Sequence, residues 1–162
     1  MKQTHFYNVL TTWTGNRGTG TTDYKAYDRD FETHVRGKDS RIAGSSDPMF
    51  RGDATRYNPE ELFVASLSSC HMLWYLHLAA ANGVVVEAYE DRAEAVMQEE
   101  VNGAGRFSQV TLRPRVRIAA GGDVDLASRL HEEAGEKCFI ANSVRVKLAY
   151  APETSVSPVG ED

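Results

Sequence analysis

An α+β fold is what the sequence predicts, and three observations predict it. Positions such as Tyr27, Phe31, Thr33 and Val35 alternate with Asp28, Asp30 and Glu32, and a period of two is that of a half-buried strand. Two stretches open on cap residues, one at Asn58 and one at Asp123, and read as helices. The resulting order is strands, helix, strands, helix, strand, which lacks the strict alternation of a doubly wound parallel sheet. Antiparallel sheets are therefore expected.

Each element has a local reason. Residues 4–13 are rich in β-branched and aromatic side chains and stop at Gly15, a strand followed by a turn. Residues 37–57 carry Gly44, Pro48 and the run Arg51-Gly52-Asp53 and read as one long loop, a length that is often functional. The helix after it is sharply announced. Asn58 caps it, Pro59 takes the first position and Glu61 stands three residues after the cap, the pattern of a capping box. It is expected to reach Asn82, with Gly83 as the stop. Between Leu62 and Ala81 there is no Asp, Glu, Lys or Arg, which is long enough for a membrane span. Ser66, Ser68, Ser69, His71 and His77 interrupt the run, so it reads as a core helix instead. A chain this small cannot wrap such a helix alone, and burial between two subunits is expected.

Beyond Gly83 two long strands are predicted, joined by a turn at Asn102-Gly103-Ala104-Gly105. Val110, Leu112, Val116 and Ile118 face opposite Arg113, Arg115 and Arg117, so the arginine row reads as a solvated face. Pro114 suggests an edge or a bulge. Asp123 and Asp125 open the second helix, Cys138 follows it, and Val144 to Tyr150 make a last strand, with a loose tail from Pro152.

Bulk composition excludes several functions. Eighteen basic against 23 acidic side chains leave a net charge of −5. A nucleic-acid protein needs a basic footprint, and neither that nor an anionic membrane surface fits. The first residues hold no apolar core of a signal peptide, so a cytoplasmic location is expected. The two cysteines, Cys70 and Cys138, are too few for a disulfide scaffold, and free cysteine is commonly an inert buried thiol.

Chemistry has few places to reside. Cys70 lies mid-helix and gains nothing from a helix N-terminus; in apolar surroundings its reactivity requires a borrowed positive charge. Arg17, Arg36, Arg51 and Arg56 are the candidates in the first third. His77 follows Cys70 by seven and His131 precedes Cys138 by seven. That spacing shares a face but spans about 10.5 Å, too far for two ligands of one zinc ion. His71 points about 100° away from Cys70, and the histidines read as core or surface polar groups. Leu73 and Trp74 fall three and four residues after Cys70 and can wall an apolar pocket. Gly15 to Gly20 lacks dinucleotide-loop spacing, and no hydrolase elbow is present.

Three segments resemble the osmotically inducible protein C and organic hydroperoxide resistance (OsmC/Ohr) family. They are Asn58-Pro-Glu-Glu-Leu-Phe-Val-Ala-Ser-Leu-Ser-Ser-Cys70, Glu136-Lys-Cys138-Phe-Ile-Ala-Asn-Ser143 and the turn Trp13-Thr-Gly-Asn-Arg17-Gly-Thr-Gly-Thr21. The resemblance implies an OsmC-like domain over residues 1–152, with a tail at 153–162. It implies antiparallel sheets wrapped around long central helices in an intertwined homodimer. It also implies a cofactor-free thiol peroxidase that reduces organic hydroperoxides and is itself reduced by a dithiol, lipoyl groups included. By position, Cys70 is implied as the peroxidatic thiol and Cys138 as the resolving thiol, with Arg17 the activating cation and Glu60 the carboxylate that orients it. Arg51 and Arg56 could replace or assist Arg17.

One constraint comes from the residues themselves. Glu60 and Cys70 are ten apart, about 15 Å along a continuous helix. Either the helix breaks between them or two chains supply one each, and the second is expected. The rival readings on the same fold are a module binding a small apolar ligand with idle cysteines, and a redox sensor.

Overall fold

The computed structural model describes residues 3–158. The chain divides into two compact units, Met1–Leu62 and Phe63–Asp162, where the sequence suggested one domain over 1–152.

The first unit is a small antiparallel sheet of three strands in the order β1 (Leu10–Trp13), β2 (Phe31–His34), β3 (Ile42–Gly44). The predicted loop over 37–57 is therefore more ordered than expected. It contains β3, which pairs with β2, and a short 3-10 turn at Pro48–Phe50. The Asp47 side chain caps that turn by accepting from the Met49 amide, and Arg51 ends it with φ 65°. Gly44 bridges to Tyr57, leading the chain to the first helix.

Helix α1 (Pro59–Ala81) starts where the sequence places it. The Glu61 amide donates to Asn58 Oδ1 at 2.7 Å, and the Asn58 amide donates to Glu61 Oε2 at 3.1 Å; this reciprocal pair is a capping box. At the other end Gly83 adopts φ 73°, open to glycine without a Cβ penalty. The Val84 amide then reaches back to Ala79 O at 2.9 Å and the Gly83 amide to Ala80 O at 3.3 Å, which closes the helix as a Schellman motif.

In the second unit the two predicted long strands are present, each broken once. One comprises β4 (Val86–Asp91) and β5 (Glu94–Glu99); the other comprises β6 (Gly105–Leu112) and β7 (Pro114–Ile118). The breaks face each other, since Asp91 pairs with Pro114 and Glu94 with Thr111. Pro114 has no amide hydrogen to continue a ladder, and it stands at the first residue of a central strand rather than at an edge. Asp91 Oδ1 fills the gap by accepting the Arg113 amide at 2.7 Å. The arginine row is ion-paired at the surface: Arg113 with Glu94, Arg115 with Glu90 and Glu153, Arg117 with Glu87.

The sheets are mixed, not purely antiparallel as expected. Helix α2 (Val124–Lys137) intervenes before β8 (Lys147–Tyr150) and β9 (Glu153–Val156). Both late strands run parallel to earlier ones, β8 to β6 and β9 to β7. A helical crossover is what allows parallel pairing. The expected loose tail is thus corrected: residues 153–156 are a paired strand, and the Ser157 amide extends the register to Ile118 O at 2.9 Å. Alternating Glu153-Thr-Ser-Val156 is too short and polar for its strand character to register in sequence. The rest of the expected tail, 159–162, lies outside the described residues.

Two apolar clusters hold this unit, and α1 runs through both. Tyr75, Leu78 and Ala79 pack with Val84, Val116, Ile118 and, from α2, Ala127, Leu130 and Ala134. Nearer its N-terminus Leu67 packs with Val110 and Leu112. Burial of a side chain such as Leu67 contributes about 1.5–3 kcal/mol. By length and composition α1 is apolar enough to cross a bilayer; in this fold Leu67, His71, Tyr75, Leu78 and Ala79 form its buried face.

Candidate active site

The two cysteines meet. Cys70 is carried by the middle of α1 and is half-buried, whereas Cys138 terminates α2 and is buried at 1% exposure. The sulfurs are close enough for the Cys138 thiol proton and any charge on Cys70 to influence one another. Both are reduced thiols. Cys138 is fixed by the turn after α2: its Sγ accepts the Ala141 amide at 3.4 Å, and Asn142 donates to its carbonyl from backbone and side chain, both at 3.0 Å. Burial, first, and the neighbouring Cys70 push the Cys138 thiol up to about 11. At neutral pH it holds its proton.

Cys70 opens onto a cleft of about 400 Å³ lined by Ser66, Ser69, Leu73, Trp74, Phe139 and Ile140. Leu73 and Trp74 wall it as their spacing predicted. None of the lining side chains is charged. The cleft is chemically an apolar slot with one accessible sulfur, and Cys138 stands behind its wall.

The other expected site residues fall in the first unit. Arg17 donates to the carbonyls of Lys25 and Ala26, the latter at 3.2 Å, and pairs with Asp28 at 3.7 Å. Arg56 pairs with Asp30 at 3.3 Å and Asp53 at 3.6 Å. Arg51 makes no ion pair among the described residues, and it is the residue with the left-handed backbone. Glu60 occupies the first turn of α1 while Glu61 does the capping. Helix α1 is unbroken from Pro59 to Ala81, which removes the alternative of a break between Glu60 and Cys70.

The sequence did not reveal what lies beside the cysteines in the core. His71 Nε2 is 3.1 Å from His131 Nδ1, and both rings are buried. Tyr75 stacks on His131 with ring centres 4.0 Å apart, and Tyr150 lies over His71 at 4.9 Å. The outer nitrogens, His71 Nδ1 and His131 Nε2, have no partner, nor do the hydroxyls of Tyr75 and Tyr89. Each such buried polar atom costs about 1–3 kcal/mol. Burial lowers His71 to about 4, opposed in part by Asp91; burial and the neighbouring His71 lower His131 to about 3. Both imidazoles are therefore neutral at physiological pH. The signal in sequence was a histidine next to Cys70, His71, and one seven residues before Cys138, His131, but reading each helix alone could not show that these two meet each other. Among the described residues no three His, Cys, Asp or Glu side chains group as metal ligands.

A family model described as OsmC-like protein matches residues 52–150. The chain belongs to the OsmC-like protein family. An OsmC-like protein of unknown function from Vibrio cholerae O1 biovar eltor is 31% identical, with 93% of this chain and 100% of that chain covered and a TM-score of 0.83. Two further structures share the fold at 18% identity each. One is the organic hydroperoxide resistance protein OsmC of Legionella pneumophila, covering 94% of this chain and 100% of that one, TM-score 0.65. The other is the organic hydroperoxide resistance protein OhrB of Bacillus subtilis, covering 92% and 98%, TM-score 0.60. No curated protein matches the chain. The matched residues cover α1, both cysteines and the strands β4 to β8, so the OsmC-like assignment rests on the segment that builds the cleft.

Proposed function

We propose that this OsmC-like protein is a thiol peroxidase for organic hydroperoxides. The observation that carries the reading is the asymmetry of its two neighbouring thiols: Cys70 faces an apolar cleft, and Cys138 lies buried beside it with its proton held. Such a pair divides the work between a sulfur that meets substrate and one that waits. Cys70, as thiolate, attacks one oxygen of the O–O bond, becoming a sulfenic acid while the alcohol leaves. Cys138 then condenses with the sulfenic acid, and water departs as the disulfide forms. Leu73, Trp74, Phe139 and Ile140 favour an alkyl substituent over a second hydroxyl. A small dithiol of the lipoyl type then restores both thiols by exchange.

The cleft supplies no charge of its own, so the cation that ionises Cys70 comes from outside its lining. The family resemblance assigns that role to Arg17, oriented by Glu60. With α1 continuous, the reading has Glu60 of one chain serving Cys70 of another, and hence a homodimer. Two features support the dimer: Leu73 and Phe139 are 63% and 67% exposed beside the cleft, and the sheet of the first unit buries no large apolar side chain.

The test is stopped-flow consumption of an organic hydroperoxide and of hydrogen peroxide, with and without dihydrolipoamide. Cys70→Ser is expected to abolish turnover, and Cys138→Ser to reduce one equivalent and stall. Arg17→Ala is expected to slow the first step at least tenfold; an unchanged rate there with a slow Arg51→Ala or Arg56→Ala would transfer the role. The uncharged cleft also suits a binding module with idle thiols. That second reading predicts alkylation of Cys70 only at alkaline pH and unaltered ligand binding in Cys70→Ser.

A further inference from the structure

The cysteine cleft is not the only depression along α1. A larger groove, of about 810 Å³, lies toward the N-terminal end of the helix. Its origin is a gap in the sheet. β6 and β8 pair in parallel from Gln109 and Lys147 onward. Before that point residues 106–108 and 144–146 are not paired with each other, and both segments line the groove. Phe63 and Phe107, stacked with ring centres 4.9 Å apart, give it an apolar floor together with Val146.

Charge sets this groove apart. Arg106, Arg145 and Lys147 line it and no Asp or Glu does, in a chain whose net charge is −5. The arginines further along, Arg113, Arg115 and Arg117, are each paired with a glutamate. Among the described residues Arg106, Arg145 and Lys147 have no such partner, and all three are exposed. Like charges gathered in one groove repel one another, and a bound anion turns that repulsion into charge-assisted hydrogen bonds. Cations over an apolar floor fit a ligand with a negative end and an apolar body.

The groove and the cleft share their walls. Ser66 and Cys70 follow Phe63 on α1 by three and seven residues, one stripe of the helix. Phe63 lines the groove, while Ser66 and Cys70 line the cleft. Opposite them Ile140 lines the cleft and Val144 the groove, with the single 3-10 turn Ala141–Ser143 between. Phe63, Ile140 and Val144 all pack on the same core of Leu67, Val110 and Leu112. The two depressions therefore lie end to end along one face of the helix. Seven residues of helix advance about 10.5 Å. With bonds of about 1.5 Å at about 111°, an extended alkyl chain needs about eight carbons to cover that distance.

We propose that Arg106, Arg145 and Lys147 hold the carboxylate end of an alkyl hydroperoxide whose chain runs over Phe63 to Cys70. The peroxide it presents stands about eight or more carbons from the acid. This substrate class rests on the peroxidase reading and narrows it. No bond is made or broken in the groove, which sets the carbon whose peroxide meets the sulfur.

Linoleic acid hydroperoxide and its methyl ester carry the same peroxide and differ in the charged end. Wild type, with dihydrolipoamide as reductant, is expected to favour the acid at least tenfold in kcat/KM, the difference lying in KM. The triple variant Arg106→Ala, Arg145→Ala, Lys147→Ala is expected to bring that preference below twofold, and Arg145→Lys alone to keep most of it. Binding is read apart from turnover by titrating decanoate and decanol into Cys70→Ser. The acid is expected to bind at least tenfold more tightly, and the triple variant to erase the difference. The comparison of acid with ester needs no variant, so it decides the matter if the triple variant loses its fold. Equal turnover of acid and ester, or a preference that survives the triple variant, would overturn the groove's role and leave the peroxidase standing. Decanoate held by the three cations in a chain inert toward both hydroperoxides would overturn the peroxidase reading and leave a carboxylate site. Hexaglutamate binding as tightly as decanoate would overturn the alkyl ligand in favour of an acidic peptide.

Discussion

The two units of this chain are built on opposite principles. From Phe63 onward Leu67, Tyr75, Val110, Leu112, Val116 and Ile118 are at most 2% exposed. Up to Leu62, the buried residues among those described are Gly15, Gly44, Ser45 and Asn58, none of them large and apolar. There the shape comes from polar contacts. Trp13 Nε1 donates to Asp28 O at 2.8 Å, Ser45 Oγ to Asp30 at 2.9 Å, and the Arg29 guanidinium stacks on Tyr24 and Tyr27. Meanwhile Phe6, Tyr7, Leu10 and Met49 are 64–86% exposed. Hydrogen bonds define geometry but net only about 0.5–1.5 kcal/mol each, and a three-stranded sheet needs an apolar face covered to be stable by itself. The contrast teaches that apolar burial holds the second unit together whereas polar contacts shape the first.

That contrast can be broken at its strongest point first. Leu67→Ala is expected to cost about 2–5 kcal/mol, read from the denaturant midpoint. Leu10→Ala is nearly neutral if the first sheet stays open to water; a loss above about 1 kcal/mol that grows with protein concentration marks a covered sheet and a dimer.

Acid acts on the core of the second unit through its buried pair, since His71 and His131 are fully buried whereas His5 is exposed and His34 half-buried. Folding lowers both buried histidines below their ordinary value of 6.5. The unfolded chain therefore binds protons that the folded chain refuses. The stability this gives is complete above pH 6.5 and is lost as pH falls toward about 4 for His71 and about 3 for His131, at up to about 1.4 kcal/mol per pH unit for each ring. A thermal midpoint that does not move between pH 7 and pH 5 would contradict the buried pair.

Caps come next. Asn58→Ala removes the side-chain bond to the Glu61 amide and leaves the backbone amide of residue 58 bonded to Glu61, and Asp123→Ala removes the bond to the Leu126 amide, each expected to cost about 1 kcal/mol by equilibrium unfolding. Smallest is Arg41→Ala, which deletes an exposed pair with Glu32; a change beyond about 0.5–1 kcal/mol would mean that this edge of the first sheet is not on the surface.

How much the sequence showed depends on the range of the forces involved. Asn58, Pro59, Glu61 and Gly83 speak to neighbours within a turn, so α1 was legible to within a residue of its end. The alternation around Val110 and Ile118 was equally local. Parallel pairing of β8 and β9 was not legible, because it depends on α2 carrying the chain back across the sheet. β3 was hidden in a loop of Gly, Ser and Asp by its length of three residues. At the site, the walls Leu73 and Trp74 were legible from helical spacing, while Cys70 and Cys138 were pointed to by the family resemblance of their segments. The meeting of His71 with His131 was not, since it joins two helices 60 positions apart.

The neighbouring thiols join α1 to the end of α2 across most of the second unit. A bond between them would close a long loop of the unfolded chain, and loops of that size are worth about 4 kcal/mol in lost disorder. Oxidation would then stiffen the fold while reduction loosens it, so the protein's resistance to melting would itself report how recently it met an oxidant.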